Sequence, residues 1–284
     1  MRLSEIKKKM MKKKIRKIYI YPIVIILTLI YILPVLWLFS SSLKSVETYT
    51  RDQFTFRAFL PTEFKIENYL FVIRKGGLGR AAFNTFLVAI LNIVACGFVN
   101  SLAGFSFAYL RFPGKNFLFT LVLALIIIPW DVLLLRNFIT IKNLGLLNTY
   151  AALVLPGLAN PYFIFLFRQF FLNIPRDIFD SARVDGCGFF QIYFKIIFPL
   201  ARPVFTANAI VIFSGIWNAF LWPLIVITDP KYQLIQIALQ RFLGSRTMDI
   251  GYVMASLSIS AIPPLIVFGF FQKYFMAGLR GIGK

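Results

Sequence analysis

The chain has 284 residues; 59% are hydrophobic, only 15% are charged, and the formal net charge is +20. A soluble domain is typically about 25% charged, so this chain has too few polar groups to cover a water-facing surface, which excludes an ordinary cytosolic enzyme. Cations on so apolar a chain point to orientation across a bilayer rather than to nucleic acid.

In chain order, residues 1–17 carry nine cations: Arg2, Lys7, Lys8, Lys9, Lys12, Lys13, Lys14, Arg16 and Lys17. The positive-inside bias assigns this basic N-terminus to the cytoplasm; binding of anionic lipid is the alternative use of such a run. The charge-free run Ile18–Phe39 follows. It is too long for a signal-peptide core and no small-x-small cleavage pattern closes it, so it reads as an uncleaved first span. An external loop from Lys44 to Arg80 completes an N-terminal section, 18–80.

The remaining 81–284 reads as a five-helix core. Ala81–Leu110, Asn143–Phe167, Pro203–Thr228 and Ile250–Gln272 are charge-free, each long enough for the roughly 20 residues a span requires. Asn116–Trp130 is shorter; it reads as a span that ends near Pro129, the segment after it lying at the membrane surface. Continuous apolar runs exclude the alternation of barrel strands. The expected fold class is an all-α membrane protein with six transmembrane helices. With both termini cytoplasmic, the inner segments hold 19 cations and four acids, the outer ones 12 and seven.

Chemistry-bearing residues are sparse. Histidine is absent, which excludes histidine catalysis and histidine metal ligands. Cys96 lies in an apolar run and Cys187 in a polar one; both read as packing residues. Gly278–Lys284 matches the spacing of a phosphate-binding loop, but no Ser or Thr follows the Lys and no helix follows the loop. It reads as a basic tail. No catalytic residue, metal site or cofactor is expected.

The one sizeable internal loop runs from Arg168 to Arg202. Pro175 suits a helix start, Asp177 and Asp180 suit its first turns, and Gly186 and Gly188 stop or turn the chain. Ile178, Ala182 and the stem of Arg183 share a face by spacing. Phe189, Ile192, Phe194 and Ile196 supply apolar surface beyond the break. Such a knob is either a solvated connector or a docking element for a groove in a partner.

This segment resembles the EAA loop of permease subunits in binding-protein-dependent ABC importers, whose pattern is roughly E-A-A-x-x-D-G-A. The match is Asp180-Ser181-Ala182-Arg183-Val184-Asp185-Gly186-Cys187, with Ile197-Phe198-Pro199 at the exit. Asp180 replaces Glu, Ser181 and Cys187 replace Ala, and Phe198 replaces Leu; Asp185-Gly186 is intact. Further similarity lies in Tyr109–Gly114, Leu144–Tyr150, Phe167–Phe171 with Ile174-Pro175, and Trp217–Leu224, where Ala219 stands for an acid. The last of these resembles the carbohydrate branch, the MalG-type permeases. The resemblance extends from about Asn84 to the C-terminus.

The resemblance implies a type I permease fold with a coupling helix in a loop spanning 172–202. It implies a second homologous permease, two ATP-binding subunits and an extracellular or periplasmic solute-binding protein that delivers a sugar. Asp180, Ser181, Ala182, Arg183, Asp185 and Gly186 correspond to the coupling element, and ATP hydrolysis falls to the partner. Within the spans, Asn84, Asn92, Asn100, Ser101, Asn208, Ser214 and Asn218 either line a path or make interhelical hydrogen bonds. Asn218, Trp217 and Asn92 are the translocation-path candidates. The rival readings are a secondary transporter driven by an ion gradient, weakened because the five long spans contain no ionisable group, a membrane scaffold without transport of its own, and an ABC permease for a non-sugar solute.

Overall fold

The computed structural model describes residues 2–244 and 249–281, with side chains described for 20–244 and 249–271. The side chains of the N-terminal lysine run and the end of the Gly278–Lys284 segment lie outside the described residues. Every regular element among the described residues is helical. In chain order these are α1 (Arg2–Ser42), α2 (Val46–Asp52), α3 (Glu67–Arg74), α4 (Leu78–Tyr109), α5 (Lys115–Leu125), α6 (Trp130–Asn143), α7 (Tyr150–Val154), α8 (Pro161–Leu172), α9 (Arg176–Val184), α10 (Phe189–Ile192), α11 (Phe198–Leu200), α12 (Arg202–Trp217), α13 (Leu221–Val226), α14 (Ile235–Leu243) and α15 (Ile250–Gly281).

Three helices are long and apolar enough to cross a bilayer unaided: Ile20–Ser42 of α1, all of α4, and Ile250–Phe271 of α15. Three more spans arise if bent pairs are counted as one each: α5 with α6 at 99°, Tyr150–Gly157 with α8 at 55°, and Phe189–Leu200 with α12 at 76°. The total is then the six that the sequence predicts. The 99° turn falls at Ile126–Pro129, where the sequence predicts the third span to end.

Two runs expected to be continuous are broken. Asn143–Phe167 is interrupted between Gly157 and Pro161, and Pro203–Thr228 between Trp217 and Leu221. A break frees backbone groups that lipid cannot satisfy. At the first, α4 satisfies them. Asn100 Nδ2 donates to the Leu158 carbonyl (3.0 Å), and Asn100 Oδ1 accepts from Asn160 N (2.8 Å). Cys96 Sγ donates to the Gly157 carbonyl at 3.2 Å.

The chain forms two compact units: Met1–Gly76 with Ser245–Ile259, and Gly77–Gly244 with Ser260–Lys284. In the first, the loop after α1 folds about an ion pair. Lys44 Nζ lies 3.4 Å from Asp52 Oδ2, and both side chains are almost inaccessible. Lys44 also donates to the Arg57 carbonyl at 2.7 Å. The Thr62 hydroxyl donates to Asp52 Oδ2 at 2.5 Å. That hydrogen bond above all, with help from Arg51 and Lys44 and against the cost of burial, holds the Asp52 carboxyl at about 2. Asn68 Nδ2 caps the end of α1 by donating to the carbonyls of Ser42 (2.9 Å) and Lys44 (3.0 Å).

The second unit is built on α4, which packs against α8, α12 and α14. Every fourth residue of α4 from Asn84 is buried: Asn84, Val88, Asn92, Cys96, Asn100, Gly104 and Ala108. This row is one ridge of the helix, and its small and amide side chains let other backbones come close. A Cβ added at Gly104 would meet Phe167 Cβ at 2.7 Å and Arg168 N at 3.0 Å.

Candidate coupling site

Helix α9 begins at Pro175, with Asp177 in its first turn, as the sequence predicts. Its end is a Schellman turn. Gly186 N donates to the Arg183 carbonyl (3.1 Å), and Cys187 N to the Ala182 carbonyl (3.0 Å). Gly186 takes φ +83°, which glycine adopts without steric cost. The turn sends Cys187 back against the core beneath the helix. Gln191 Oε1 then accepts from Gly188 N at 3.0 Å, starting α10.

The buried face of α9 consists of Phe179 and Ala182. The sequence grouped Ile178 with Ala182 and Arg183; spacing groups residues but cannot say which side is covered, and Ile178 is exposed. Phe179 stacks on Tyr109 with ring centroids 4.8 Å apart and lies within 6.2 Å of Phe105. Phe105 packs edge-on against Tyr193 at 5.5 Å. Phe167, Phe171, Ile192 and Ile197 complete this cluster. The Tyr109 hydroxyl donates to the Phe171 carbonyl (2.9 Å), and the hydroxyls of Ser101 and Tyr193 share a hydrogen bond at 2.6 Å. Helix α9 thus sits on an aromatic bed contributed by α4, α8 and the segment after α10.

At 3.6 residues per turn, the opposite face carries Asp177, Asp180, Ser181 and Val184, all exposed. Arg176 approaches Asp180 at 3.9 Å, and the Arg183 guanidinium covers the Phe189 ring at 4.7 Å. Of the six sequence-predicted coupling residues, Asp180, Ser181, Arg183, Asp185 and Gly186 are exposed, while Ala182 is packed inward at 5% exposure. Val184, 88% exposed on this outer face, was not among the residues the sequence singled out. The signal available was its position across the helix from Phe179.

The path candidates separate. Trp217 is buried and its indole N–H donates to the Ser260 carbonyl at 2.9 Å. Asn92 is buried and donates within α4 to the Val88 carbonyl at 2.9 Å. Asn84 ties α4 to the carbonyls of Lys231 and Gln233, and Asn100 to the broken span. These are hydrogen bonds inside this chain. Asn218 is exposed at the end of α12 and shares a face with exposed Ser214, Gly215 and Val211. Asn208, buried in α12, has no hydrogen-bond partner among the described residues.

Bent apolar spans around one central helix, with a short polar helix seated on one end, define a membrane-embedded transport component. Residues 100–281 match the family model described as binding-protein-dependent transport system inner membrane component. The chain belongs to that family. It is 34% identical over 251 residues to an arabinooligosaccharides transport system permease protein of Halalkalibacterium halodurans, covering 88% of this chain and 90% of that protein. It is 33% identical over 229 residues to an sn-glycerol-3-phosphate transport system permease protein of Brucella melitensis, covering 78% and 81%. Its fold is shared, at a TM-score of 0.83 and 21% identity, with a chain of a bacterial ABC transporter involved in import of the acidic polysaccharide alginate, covering 92% of this chain and 97% of that one.

Proposed function

We propose that this chain is the permease subunit of an ABC importer for a carbohydrate. It pairs with a second, homologous permease, and two ATP-binding subunits engage the outer face of α9. A solute-binding protein delivers the sugar at the opposite membrane face, and ATP is hydrolysed in the partner rather than here. Both termini are cytoplasmic on the positive-inside bias.

The observation that carries this reading is the two-sidedness of α9. Its inner face, Phe179 and Ala182, is locked into the chain's own aromatic core, while Asp177, Asp180, Ser181 and Val184 are left bare at its outer face. A helix held this way moves with α4 and α8, so force on the outer face reaches the spans. Asn218 with Ser214 and Gly215 forms the path-lining face, since polar and small groups exposed on a spanning helix are costly against lipid. The relative named for sn-glycerol-3-phosphate favours a phosphorylated polyol as the second reading.

The test is purification from the native locus in mild detergent, with mass spectrometry of what accompanies the chain. An ATP-binding subunit and a second permease are expected. Val184→Asp with Asp180→Ala is expected to lose the ATP-binding subunit and keep the second permease. A chain that emerges alone or as a homo-oligomer overturns the proposal. Binding of radiolabelled sugars or glycerol phosphates to the accompanying solute-binding protein separates the two substrate readings.

A further inference from the structure

The turn joining α4 to α5 and the start of α9 border an open surface cavity of about 380 Å³ that the coupling role does not use. It is lined by Leu110, Arg111, Gly114, Lys115, Phe117 and Arg176, among others, and no carboxylate lines it. Three basic residues therefore border one space. Lys115 Nζ spends two donors on the end of α4, at the carbonyls of Leu110 (2.9 Å) and Ala108 (3.3 Å), which fixes its charge at the wall. Arg176 has only its long approach to Asp180, 3.9 Å. Arg111 is exposed and makes no hydrogen bond or ion pair with any described residue.

Like charges converging with a single counter-charge, Asp180 at 3.9 Å from Arg176, repel, and a bound anion lowers that cost. A phosphate presents several acceptor oxygens in the geometry that arginine pairs bind best. The turn also puts the anion at the start of α5, where Gly114 offers the first-turn N–H groups no side-chain cap. What the anion is attached to follows from the next turns. Phe117 lines the cavity, and Phe117, Leu118, Leu121 and Leu125 continue from it along α5 as one exposed apolar stripe at helical spacing. A free phosphate has no use for that stripe, whereas acyl chains do.

We propose that this cavity binds the phosphate of an anionic phospholipid headgroup, with the acyl chains along the α5 stripe, and that the lipid bridges the α4–α5 turn to the base of α9. Basic pockets at the membrane–water boundary hold lipid headgroups by this chemistry. The bridge would couple the seating of α9 to lipid composition.

The test is native mass spectrometry of the full chain in detergent, titrated with phosphatidylglycerol or with phosphatidylcholine of the same acyl length. One saturable phosphatidylglycerol adduct is expected, and none with phosphatidylcholine. Arg111→Gln with Arg176→Gln is expected to weaken the adduct about thirtyfold, two interfacial cations being lost. A Lys7→Gln, Lys8→Gln, Lys9→Gln variant is expected to keep it. The proposal is overturned if the arginine variant binds like the wild type or if only the lysine variant loses the adduct. Displacement by millimolar inorganic phosphate would make this a free-anion site and overturn the lipid. Loss of the ATP-binding subunit from Arg111→Gln, with the lipid adduct unchanged, would assign the cavity to an acidic partner segment and overturn it equally.

Discussion

The two ends of α4 are held by different physics. Near its C-terminus, Phe105 and Tyr109 meet Phe167, Phe171, Phe179 and Tyr193 in a nearly dry aromatic cluster. Some 20 residues towards its N-terminus, about 30 Å away along the axis, the fixings are largely polar and precisely paired atom to atom. Asn84 donates to two carbonyls and accepts from the Tyr150 hydroxyl at 2.8 Å, and Thr85 Oγ1 accepts from Ile235 N at 2.8 Å. The Trp222 indole donates to the Ala152 carbonyl at 3.0 Å, beside a smaller aliphatic cluster of Val88, Leu153 and Val226. Dense apolar packing transmits a push because it cannot be compressed. Hydrogen bonds fix where loops return without requiring bulk. The end that carries α9 has the first kind of joint, and the end that carries long connections has the second.

The largest expected effect comes from emptying the aromatic bed. Phe179→Ala removes a fully buried ring and is expected to cost about 3–5 kcal/mol. Because α9 is short, the loss should appear first as unseating of 174–200, read by hydrogen exchange, with the ATP-binding subunit lost on purification and the second permease kept. Retained exchange protection in 174–200 would break the claim that the bed holds the helix.

Gly104→Ala probes the same end through backbone contact. The new methyl would collide with Phe167 Cβ at 2.7 Å and sit 3.2 Å from the Ile164 carbonyl, neither of which is the free end of a side chain. About 1–3 kcal/mol of destabilisation is expected in detergent melts. Gly97→Ala, whose methyl would lie 3.9 Å from the Phe205 ring, is the control. It is expected to be neutral or slightly stabilising, since alanine is the better helix former.

These contrasts also mark what the sequence could reveal. Charge-free runs gave the spans, because lipid leaves composition little freedom. Gly186 was readable as a turn because few residues take its φ. The breaks at Gly157–Pro161 and Trp217–Leu221 were not readable. What permits the first is Asn100, some 60 positions away, and nothing local in Gly157–Asn160 names that partner. The sequence narrowed the amides of α4 to two roles, path or interhelical bond; Asn84 and Asn100 bond to other segments, whereas Asn92 bonds within its own helix. Trp217 looked like a path residue because its flat ring suits a sugar, and only the bond to Ser260 shows that it faces inward. Phe179 escaped notice because one aromatic among 33 phenylalanines carries no signal until its neighbours are known.

Asn148 tests the polar end with a smaller expected effect. Its Oδ1 accepts from Thr228 N (2.7 Å) and Asp229 N (2.8 Å), closing the loop after α13, and it sits at φ 59°. Asn148→Gly keeps that backbone and removes the acceptor together with the Nδ2 donor to Thr228 Oγ1 (3.0 Å), so a loss of about 1–2 kcal/mol is expected, water replacing part of these bonds. Asn148→Ala adds the left-handed strain of about 1–2 kcal/mol. If glycine and alanine cost the same in thermal melts, the side chain rather than the backbone conformation governs this joint.

The smallest effect sharpens the distinction between polar joints that titrate and those that do not. The amides of Asn84 and Asn148 are indifferent to pH, whereas the first unit relies on Asp52, held at about 2 chiefly by the Thr62 hydroxyl. An unfolded aspartate titrates near about 3.9. A carboxyl whose pKa is lowered on folding stabilises fully above that unfolded value, and the contribution fades as pH falls through the folded one. Glu63, lowered by the Ser45 backbone N–H, acts with the same sign. Between about pH 4 and pH 2, the loop from Lys44 to Lys65 should therefore open while 148–229 stays closed, and pepsin, active across that range, should cut the first and spare the second. In Asp52→Asn the loop should already be cut more readily at the top of the range, because Lys44 is left buried without its charge partner. It should also gain less further susceptibility on acidification. If the wild-type loop is cut equally at both ends of the range, the ion pair does not govern this loop, and the first unit is held as α4's N-terminal end is, by bonds that do not titrate.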